Sequence, residues 1–247
     1  MKSKRTSRPQ LKHGEQDGLW TPEGLGLQAG RYEAVVSYLF NRPVPSGQQQ
    51  EWYWDEDLEE FPATSLEWTR FQTAIFANAA TDLTNFSNEQ VGMGLNYIMS
   101  NSVSDVPYAA INGDVPIDEA MRMMRAMPML WRDCIGPRMV SDRAPVGWSE
   151  GRLGYVCYMW FDVWATYNNV SNIPAWSDAV WSVLRQMLDV PCRAVQIAAL
   201  HGIGHEGSNL DRWPEVEAAV NAFIRRIPAE DEDLRRYAGA AKTGNVQ

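Results

Sequence analysis

The sequence predicts an all-α protein built from antiparallel helix pairs that stack as a short α-solenoid. Two segments near the C-terminus match each other 37 positions apart, with Trp176 aligned to Trp213 and Pro191 to Pro228. A helical unit of that length cannot bury its apolar face alone and must stack on a neighbour. Elsewhere apolar residues recur at helical spacing, and no window alternates apolar and polar residues as a half-buried strand would.

The charge balance favours a basic partner. The 247 residues include 31 Asp and Glu against 22 Lys and Arg, which gives a formal net charge of −9. An acidic surface of this size repels nucleic acid phosphates and anionic membranes, so neither is expected to bind. With 45% hydrophobic and 21% charged residues, the composition is that of a globular protein with a packed core.

The cysteines and the N-terminus indicate a cytoplasmic protein. Cys134, Cys157 and Cys192 are widely separated, and each lies in an apolar helical pattern. This is typical of buried thiols in a reduced compartment. The basic N-terminal residues are followed by polar ones and not by the apolar core of a secretory signal. The most apolar run, residues 155–164, is too short to span a bilayer.

The chain divides into an arm and one domain. Residues 1–30, rich in Gly, Lys, Gln and Pro without periodicity, are expected to form a flexible arm, and residues 31–247 a single helical-repeat domain. Two capping boxes mark helix starts within that domain. In each, two side chains three residues apart satisfy free backbone N–H groups. The pairs are Thr64 with Glu67 and Ser87 with Gln90.

The remaining helices follow from stripes of apolar residues. A Met-rich helix begins at Ile117 and should kink or split at Pro128, which has no N–H to donate. Its methionines are predicted to be core residues: Met121, Met123, Met124, Met127 and Met129. Residues 153–164 are apolar on more than one face, so this helix is expected to be central. The charged segment 230–242 is predicted to cap the array.

Two segments resemble known helical proteins. Pro191-Cys-Arg-Ala-Val-Gln-Ile-Ala-Ala-Leu-His-Gly-Ile-Gly204 resembles the second, Pro-led and Ala-rich helix of a HEAT-type repeat. The resemblance covers residues 173–240 and extends more loosely to the helices from Thr64 onward. Because HEAT-like proteins act as binding scaffolds, it implies interaction with a partner. Asn88-Glu-Gln-Val-Gly-Met-Gly-Leu95, followed by Ser104-Asp-Val-Pro107, is similar to bacterial helical proteins, some of which are immunity factors for secreted toxins.

An acidic and aromatic segment is the leading candidate for a binding surface. We call residues 51–60, Glu-Trp-Tyr-Trp-Asp-Glu-Asp-Leu-Glu-Glu, the acidic strip. Its predicted binding residues are Trp52, Tyr53, Trp54, Asp55, Glu56, Asp57, Glu59 and Glu60. Carboxylates without a basic counterweight steer a basic partner, and aromatic side chains are typical anchors of interface hot spots. The alternative is that the rings pack onto the first helix pair while the carboxylates are solvated.

His201 and His205 are candidate metal ligands. Histidines at i and i+4 lie on one helix face and can share a zinc ion, and Glu206 follows as a third candidate. The glutamate that zinc proteases place between their histidines is missing here. The alternative puts both histidines at the C-terminal end of a buried helix, where they would interact favourably with the helix dipole. Gly202 and Gly204 would then allow close packing.

A serine motif is the third candidate for chemistry. Gly147-Trp-Ser-Glu-Gly151 matches the G-x-S-x-G pattern of a serine nucleophile. An aspartate (Asp162, Asp178 or Asp189) and then a histidine (His201 or His205) follow in the order of a hydrolase triad. That motif requires a buried strand before the serine, and residues 141–145 do not read as one. Ser149 is better explained as an N-cap of the next helix.

These features together favour a protein that acts by binding another protein, without a cofactor and without catalysis. The sharpest version is an immunity-type factor that blocks a basic bacterial toxin by electrostatic and steric complementarity. It would use the acidic strip and one face of the helical array. The alternative is a metal-dependent hydrolase that uses His201, His205 and Glu206.

Overall fold

The computed structural model describes residues 20–139, 146, 151–170, 173–207 and 212–246. This part of the chain contains eleven α-helices and no strand, so the predicted all-α class is confirmed. The helices are α1 Ala29–Phe40, α2 Ser65–Asp82, α3 Asn88–Met99, α4 Ile117–Met129, α5 Gly136–Met139, α6 Gly151–Val163, α7 Ala165–Val170, α8 Pro174–Met187, α9 Arg193–Glu206, α10 Trp213–Arg226 and α11 Glu232–Ala241. Short 3-10 segments are Glu23–Leu25, Trp52–Trp54 and Val106–Ile111.

Two capping boxes fix the starts of α2 and α3. The Thr64 hydroxyl accepts a hydrogen bond from the Glu67 backbone N–H at 3.2 Å, and the Glu67 carboxylate accepts one from the Thr64 N–H at 3.0 Å. Ser87 and Gln90 repeat this arrangement at the start of α3. Both predicted helix starts are therefore confirmed.

Pro128 changes the type of helix and does not end it. α4 continues past the proline and leads directly into a π-helical turn, Leu130–Ile135. Proline gives no N–H to the preceding turn, and single π turns are a common way to absorb such a local irregularity. The methionines predicted as core are buried or half-buried: Met121, Met123, Met124, Met127 and Met129.

The core is continuous, and its largest helix pairings join elements that are not consecutive. α2 packs on α4, α3 on α6, and α6 on α9. Trp131, Trp160 and Trp164 are fully buried within it. The ring centroid of Trp160 lies 5.4 Å from that of Trp131 and 5.9 Å from that of Trp164. None of their three indole N–H groups has an acceptor in the described part of the chain.

The two matching C-terminal segments form α8 and α10, each followed by a second helix, α9 and α11. Polar contacts connect the two segments. The Trp181 indole N–H donates to Glu215 at 2.8 Å, and the Arg226 guanidinium pairs with Asp189 at 2.7 Å. α9 packs against both α8 and α11. The residues around the matched tryptophans thus lie on neighbouring helix pairs.

Residues 20–28 pack against the helices, although their composition places them in the predicted arm. Leu25 and Leu27 are buried. Asn78 on α2 donates a hydrogen bond to the backbone carbonyl of Trp20 at 2.9 Å. The rest of the predicted arm, residues 1–19, lies outside the described part of the chain.

The three cysteines are buried free thiols, as the sequence predicts. Burial raises the pKa of the Cys134 thiol, which keeps it in the unreactive protonated form. No described helix combines the length and the apolar character that a bilayer crossing requires.

Candidate functional site

The aromatic side chains of the acidic strip differ in exposure. Trp52 stacks on Tyr97 of α3, with ring centroids 4.9 Å apart. Tyr53 is 8% exposed, and its hydroxyl accepts a hydrogen bond from Asn96 of α3 at 3.0 Å. Trp54 is 46% exposed. Of the three predicted anchors, two hold the strip on α3 and Trp54 presents its ring to solvent.

The carboxylates of the acidic strip also fall into two groups. Glu51 pairs with Arg152 of α6 at 3.0 Å, and Arg152 pairs in turn with Glu89 at 2.7 Å. The other five carboxylates are exposed and form no ion pair with any residue that the structure describes: Asp55, Glu56, Asp57, Glu59 and Glu60. The strip therefore presents uncompensated negative charge next to Trp54.

A cavity of about 760 Å³ opens where the acidic strip meets the loop after α3. Its lining includes two carboxylates and four aromatic rings: Glu60, Phe61, Trp68, Tyr97, Asp105 and Tyr108. Both carboxylates are exposed and without an ion pair in the described ranges. Aromatic faces and carboxylates attract cations, so the cavity suits a positively charged group.

Asp162, His201 and His205 form a cluster of potential metal ligands. α6 supplies Asp162, and α9 supplies both histidines one turn apart. Oδ2 of Asp162 lies 2.9 Å from Nε2 of His201, and Oδ1 lies 3.0 Å from Nε2 of His205. The second contact lacks the alignment of a hydrogen bond, so Oδ1 is a buried atom without a donor among the described groups.

Two tyrosines contact His201, which is 1% exposed. Its Nδ1 lies 2.5 Å from the hydroxyl oxygen of Tyr237 on α11, and the Tyr158 ring lies 4.3 Å from the imidazole ring. Burial, and then the hydrogen bond with Tyr158, raises the pKa of Tyr237, so its hydroxyl stays neutral. The side chain of His205 is 42% exposed, so the cluster is open to solvent at this residue.

The glycines of the His201–His205 segment are required by close packing, as one interpretation of the sequence predicts. A Cβ on Gly202 would lie 2.8 Å from side-chain atoms of both Leu184 and Phe161. A Cβ on Gly204 would overlap the side chain of Val246. Packing alone therefore explains the glycines, while the histidines need a separate explanation.

Asp162 is the residue that the predicted ligand set of His201, His205 and Glu206 did not include. α9 ends at Glu206, whose side chain lies outside what the structure describes. One signal did point to Asp162: it is the only charged residue in the apolar run 155–164, and a buried charge is costly unless it is paired. Its pairing with the histidines depends on α6 packing against α9, which no spacing along the chain reveals.

The serine motif falls where the structure gives no description. Ser149 lies outside the described residues, so its predicted roles as nucleophile or N-cap stay predictions. Of the aspartates and histidines predicted for that triad order, Asp162 and His201 contact each other at 2.9 Å. Their contact is equally expected of the metal cluster.

Comparison with known proteins adds no assignment. No family model, no curated protein sequence and no solved structure matches this chain. Any function must therefore be inferred from the side chains themselves.

Proposed function

We propose that this protein binds a basic partner protein through the acidic strip and the cavity beside it. The observation that carries the proposal is the group of five exposed carboxylates, unpaired within the described part, next to the exposed ring of Trp54. Charges of one sign that lack an internal partner speed the encounter with an oppositely charged surface. The exposed indole then supplies an apolar anchor of the kind that dominates binding energy.

The cavity supports a more specific mode of binding. A Lys or Arg side chain that entered it would meet the carboxylates of Glu60 and Asp105 and the rings of Phe61 and Tyr108. A cation over an aromatic face gains about 0.5–2 kcal/mol, with the higher value for a desolvated pair. We therefore expect the partner to insert one basic side chain there.

The inward packing of Trp52 and Tyr53 supports the same proposal. Their contacts with Tyr97 and Asn96 tie the strip to α3. A surface that is already ordered loses little conformational entropy when a partner binds. In this proposal the two rings orient the strip, and Trp54 with the carboxylates makes the contacts.

A helical scaffold and a biological role both fit this surface. HEAT-like stacking of α8 to α11 would give the strip a rigid supporting body. An immunity-type factor in the cytoplasm that occludes a basic toxin fits this surface, because occlusion needs complementarity and no cofactor. A basic active-site cleft is the kind of target that the charge of the strip would match.

Charge reversal tests the proposal. The variant in which Asp55, Glu56 and Asp57 are all replaced by Lys should lose binding to a lysine-rich peptide, measured by fluorescence anisotropy. Binding by the wild-type protein should weaken as salt rises, because screening shortens the range of the attraction. The thermal unfolding midpoint should not fall, since these exposed side chains make no ion pair within the described residues.

A matched variant separates the strip from the acidic surface in general. Replacing Glu33, Asp114 and Glu230 with Lys changes the net charge by the same amount at exposed positions elsewhere. This control should retain peptide binding. Equal losses in both variants would show that the peptide senses net charge only, and the proposal would be abandoned. Trp54→Ala should cost about 2 kcal/mol of binding energy if the indole is a hot spot.

A further inference from the structure

We propose that Asp162, His201 and His205 bind one divalent transition-metal ion of the zinc type. The potential ligand atoms of the three side chains all lie within 4.8 Å of one another. With bonds of about 2.0–2.2 Å, the ligands of a tetrahedral zinc ion lie about 3.3–3.6 Å apart. The distance of 3.0 Å between Oδ1 of Asp162 and Nε2 of His205 needs to widen by only a few tenths of an ångström.

The fold builds this cluster from two rigid elements. His201 and His205 are one turn apart on α9, so both rings extend from the same face of that helix. That face meets α6, the helix that contains Asp162, in one of the largest helix pairings of the described chain. Ligands held by packed helices are already close to their bound arrangement, which lowers the entropy lost when the ion binds.

One oxygen of the Asp162 carboxylate has no hydrogen-bond donor among the described groups. Oδ1 of Asp162 is buried and accepts no hydrogen bond from any described group, although Nε2 of His205 is 3.0 Å away. A buried acceptor without a donor costs about 1–3 kcal/mol, and more when the group is charged. A cation between Oδ1 and the two ring nitrogens would satisfy it without requiring the N–H alignment that the contact with His205 lacks.

The surroundings of His201 match those of a metal-bound histidine. Such a histidine coordinates through one ring nitrogen and donates the N–H of the other to an outer acceptor, which fixes the tautomer and the ring orientation. Here Nδ1 lies 2.5 Å from the Tyr237 hydroxyl, while Nε2 faces Asp162. Tyr158 bonds the hydroxyl of Tyr237 in turn and so orients it. Tyr237 is thus a positioning residue for the site.

The donor set selects the class of ion. Two imidazoles and one carboxylate suit zinc, cobalt and nickel, whereas calcium and magnesium prefer oxygen ligands alone. Since the side chain of His205 is 42% exposed, solvent can reach the ion. Three protein ligands with an open fourth position characterise catalytic and not structural zinc sites. The ion would hold a water molecule at that position.

The first experiment titrates the full chain, stripped of metal with a chelator, with Zn²⁺ alone and with Co²⁺ alone. We expect one Zn²⁺ per chain by competition with a chromophoric chelator, and the visible absorption of a four-coordinate Co²⁺ site. His205→Gln should lose more than the ~10–100-fold in Zn²⁺ affinity that an outer-sphere change costs. Because His205 is partly exposed, this variant is expected to fold. Unchanged Zn²⁺ affinity in His205→Gln would overturn the proposal.

Two further variants test the remaining parts of the site. Asp162→Asn keeps the side-chain shape and should also abolish tight Zn²⁺ binding. Tyr237→Phe removes only the outer acceptor, so it should bind Zn²⁺ about 10–100-fold more weakly and shift the Co²⁺ spectrum. An unchanged affinity and spectrum would refute the role of Tyr237.

A control excludes binding by the acidic surface. Replacing Asp55, Glu56 and Asp57 with Asn removes three exposed carboxylates outside the cluster. This variant should keep one tight Zn²⁺ per chain. If it loses that ion while Asp162→Asn retains it, the metal belongs to the strip and the assignment to α6 and α9 is wrong.

Discussion

The packing around Gly202 leaves no room for a side chain larger than a hydrogen atom. A Cβ there would lie 2.8 Å from Leu184 Cδ2 and from Phe161 Cγ, both in the core. We expect Gly202→Ala to lower the free energy of unfolding by about 1–3 kcal/mol, because overpacking forces buried side chains out of position. Urea unfolding followed by circular dichroism measures this change.

Gly239 on α11 is the matched control, because it is the counterpart of Gly202 at the offset of 37. A Cβ at Gly239 would have no atom within 4 Å. Gly239→Ala should therefore stabilise the protein by about 0.5–1 kcal/mol, since alanine favours the helix. Similar effects at both positions would show that repeat position, and not local crowding, decides the outcome. Close packing thus requires a glycine at position 202 but not at position 239.

At the scale of single residues, the sequence predicted which side chains are exposed or buried better than which residues they contact. The exposed carboxylates and the buried thiols follow from charge and pattern alone. The inward packing of Trp52 and Tyr53 does not, because a three-residue 3-10 turn has no periodicity to show which side faces α3. Likewise, the contact of His201 with Tyr237 depends on two helices meeting in space.

At the scale of helices, the two capping boxes differ in one chemical respect. The box of α2 uses the carboxylate of Glu67, and the box of α3 uses the amide of Gln90. The backbone hydrogen bond with Thr64, helped by Arg31, lowers the pKa of Glu67. The stabilisation from Glu67 is therefore fully present above its unfolded pKa of about 4.3 and is lost as pH falls through the lower folded value.

We expect Glu67→Ala to cost about 1 kcal/mol at pH 7, a value reduced for partial exposure of the carboxylate. The cost should shrink on acidification towards pH 3, because the wild-type carboxylate becomes protonated. Gln90→Ala should have a cost that does not vary over the same range, since an amide does not titrate there. Unfolding curves at both pH values decide this, and parallel behaviour of the two variants would contradict it.

The helices illustrate what local sequence can determine. Capping boxes define α2 and α3 because the bonds involved span only three residues. The π-helical turn after Pro128 was not predicted, because proline indicates only that the regular bonding is interrupted. How the chain absorbs that interruption depends on tertiary packing, which the local sequence does not show.

For the whole molecule, a partly buried cation helps to join the two matching C-terminal units. Arg193 of α9 is 13% exposed and pairs with Asp231 at 3.4 Å and with Asp233 at 2.6 Å. Arg193→Gln should lower the free energy of unfolding by about 2–3 kcal/mol, because it leaves two partly buried carboxylates without their cation. Chemical denaturation measures this loss.

An exposed pair between the same units provides the comparison. Arg226 and Asp189 are 56% and 62% exposed, so Arg226→Gln should change stability by less than about 1 kcal/mol. Equal losses in the two variants would argue against a special role for Arg193. A hydrogen bond with Asp231, together with Arg193, lowers the pKa of Asp233 to about 2. Stability from this carboxylate is lost as pH falls from about 4 towards that value, and less so in Arg193→Gln.

The fold class could be predicted because helical periodicity is a local property of the sequence. The offset of 37 also located two helix pairs that lie next to each other. The pairings of α3 with α6 and of α2 with α4 have no counterpart in that repeat. They arise from the apolar faces of helices that are distant along the chain. The pairing of α6 with α9, which creates the histidine cluster, also joins helices that are distant along the chain.

The buried tryptophans give this protein an intrinsic optical reporter. The indole N–H groups of Trp131, Trp160 and Trp164 have no acceptor within the described part of the chain, an unusual condition for buried tryptophan. Indoles in such an apolar, unbonded environment fluoresce at shorter wavelengths than hydrated ones. Exposed tryptophans such as Trp54 and Trp213 emit at longer wavelengths, and Trp54 is the ring that the proposed partner would cover. Partner binding should therefore change the tryptophan emission at longer wavelengths, and unfolding of the core should remove the emission at shorter wavelengths.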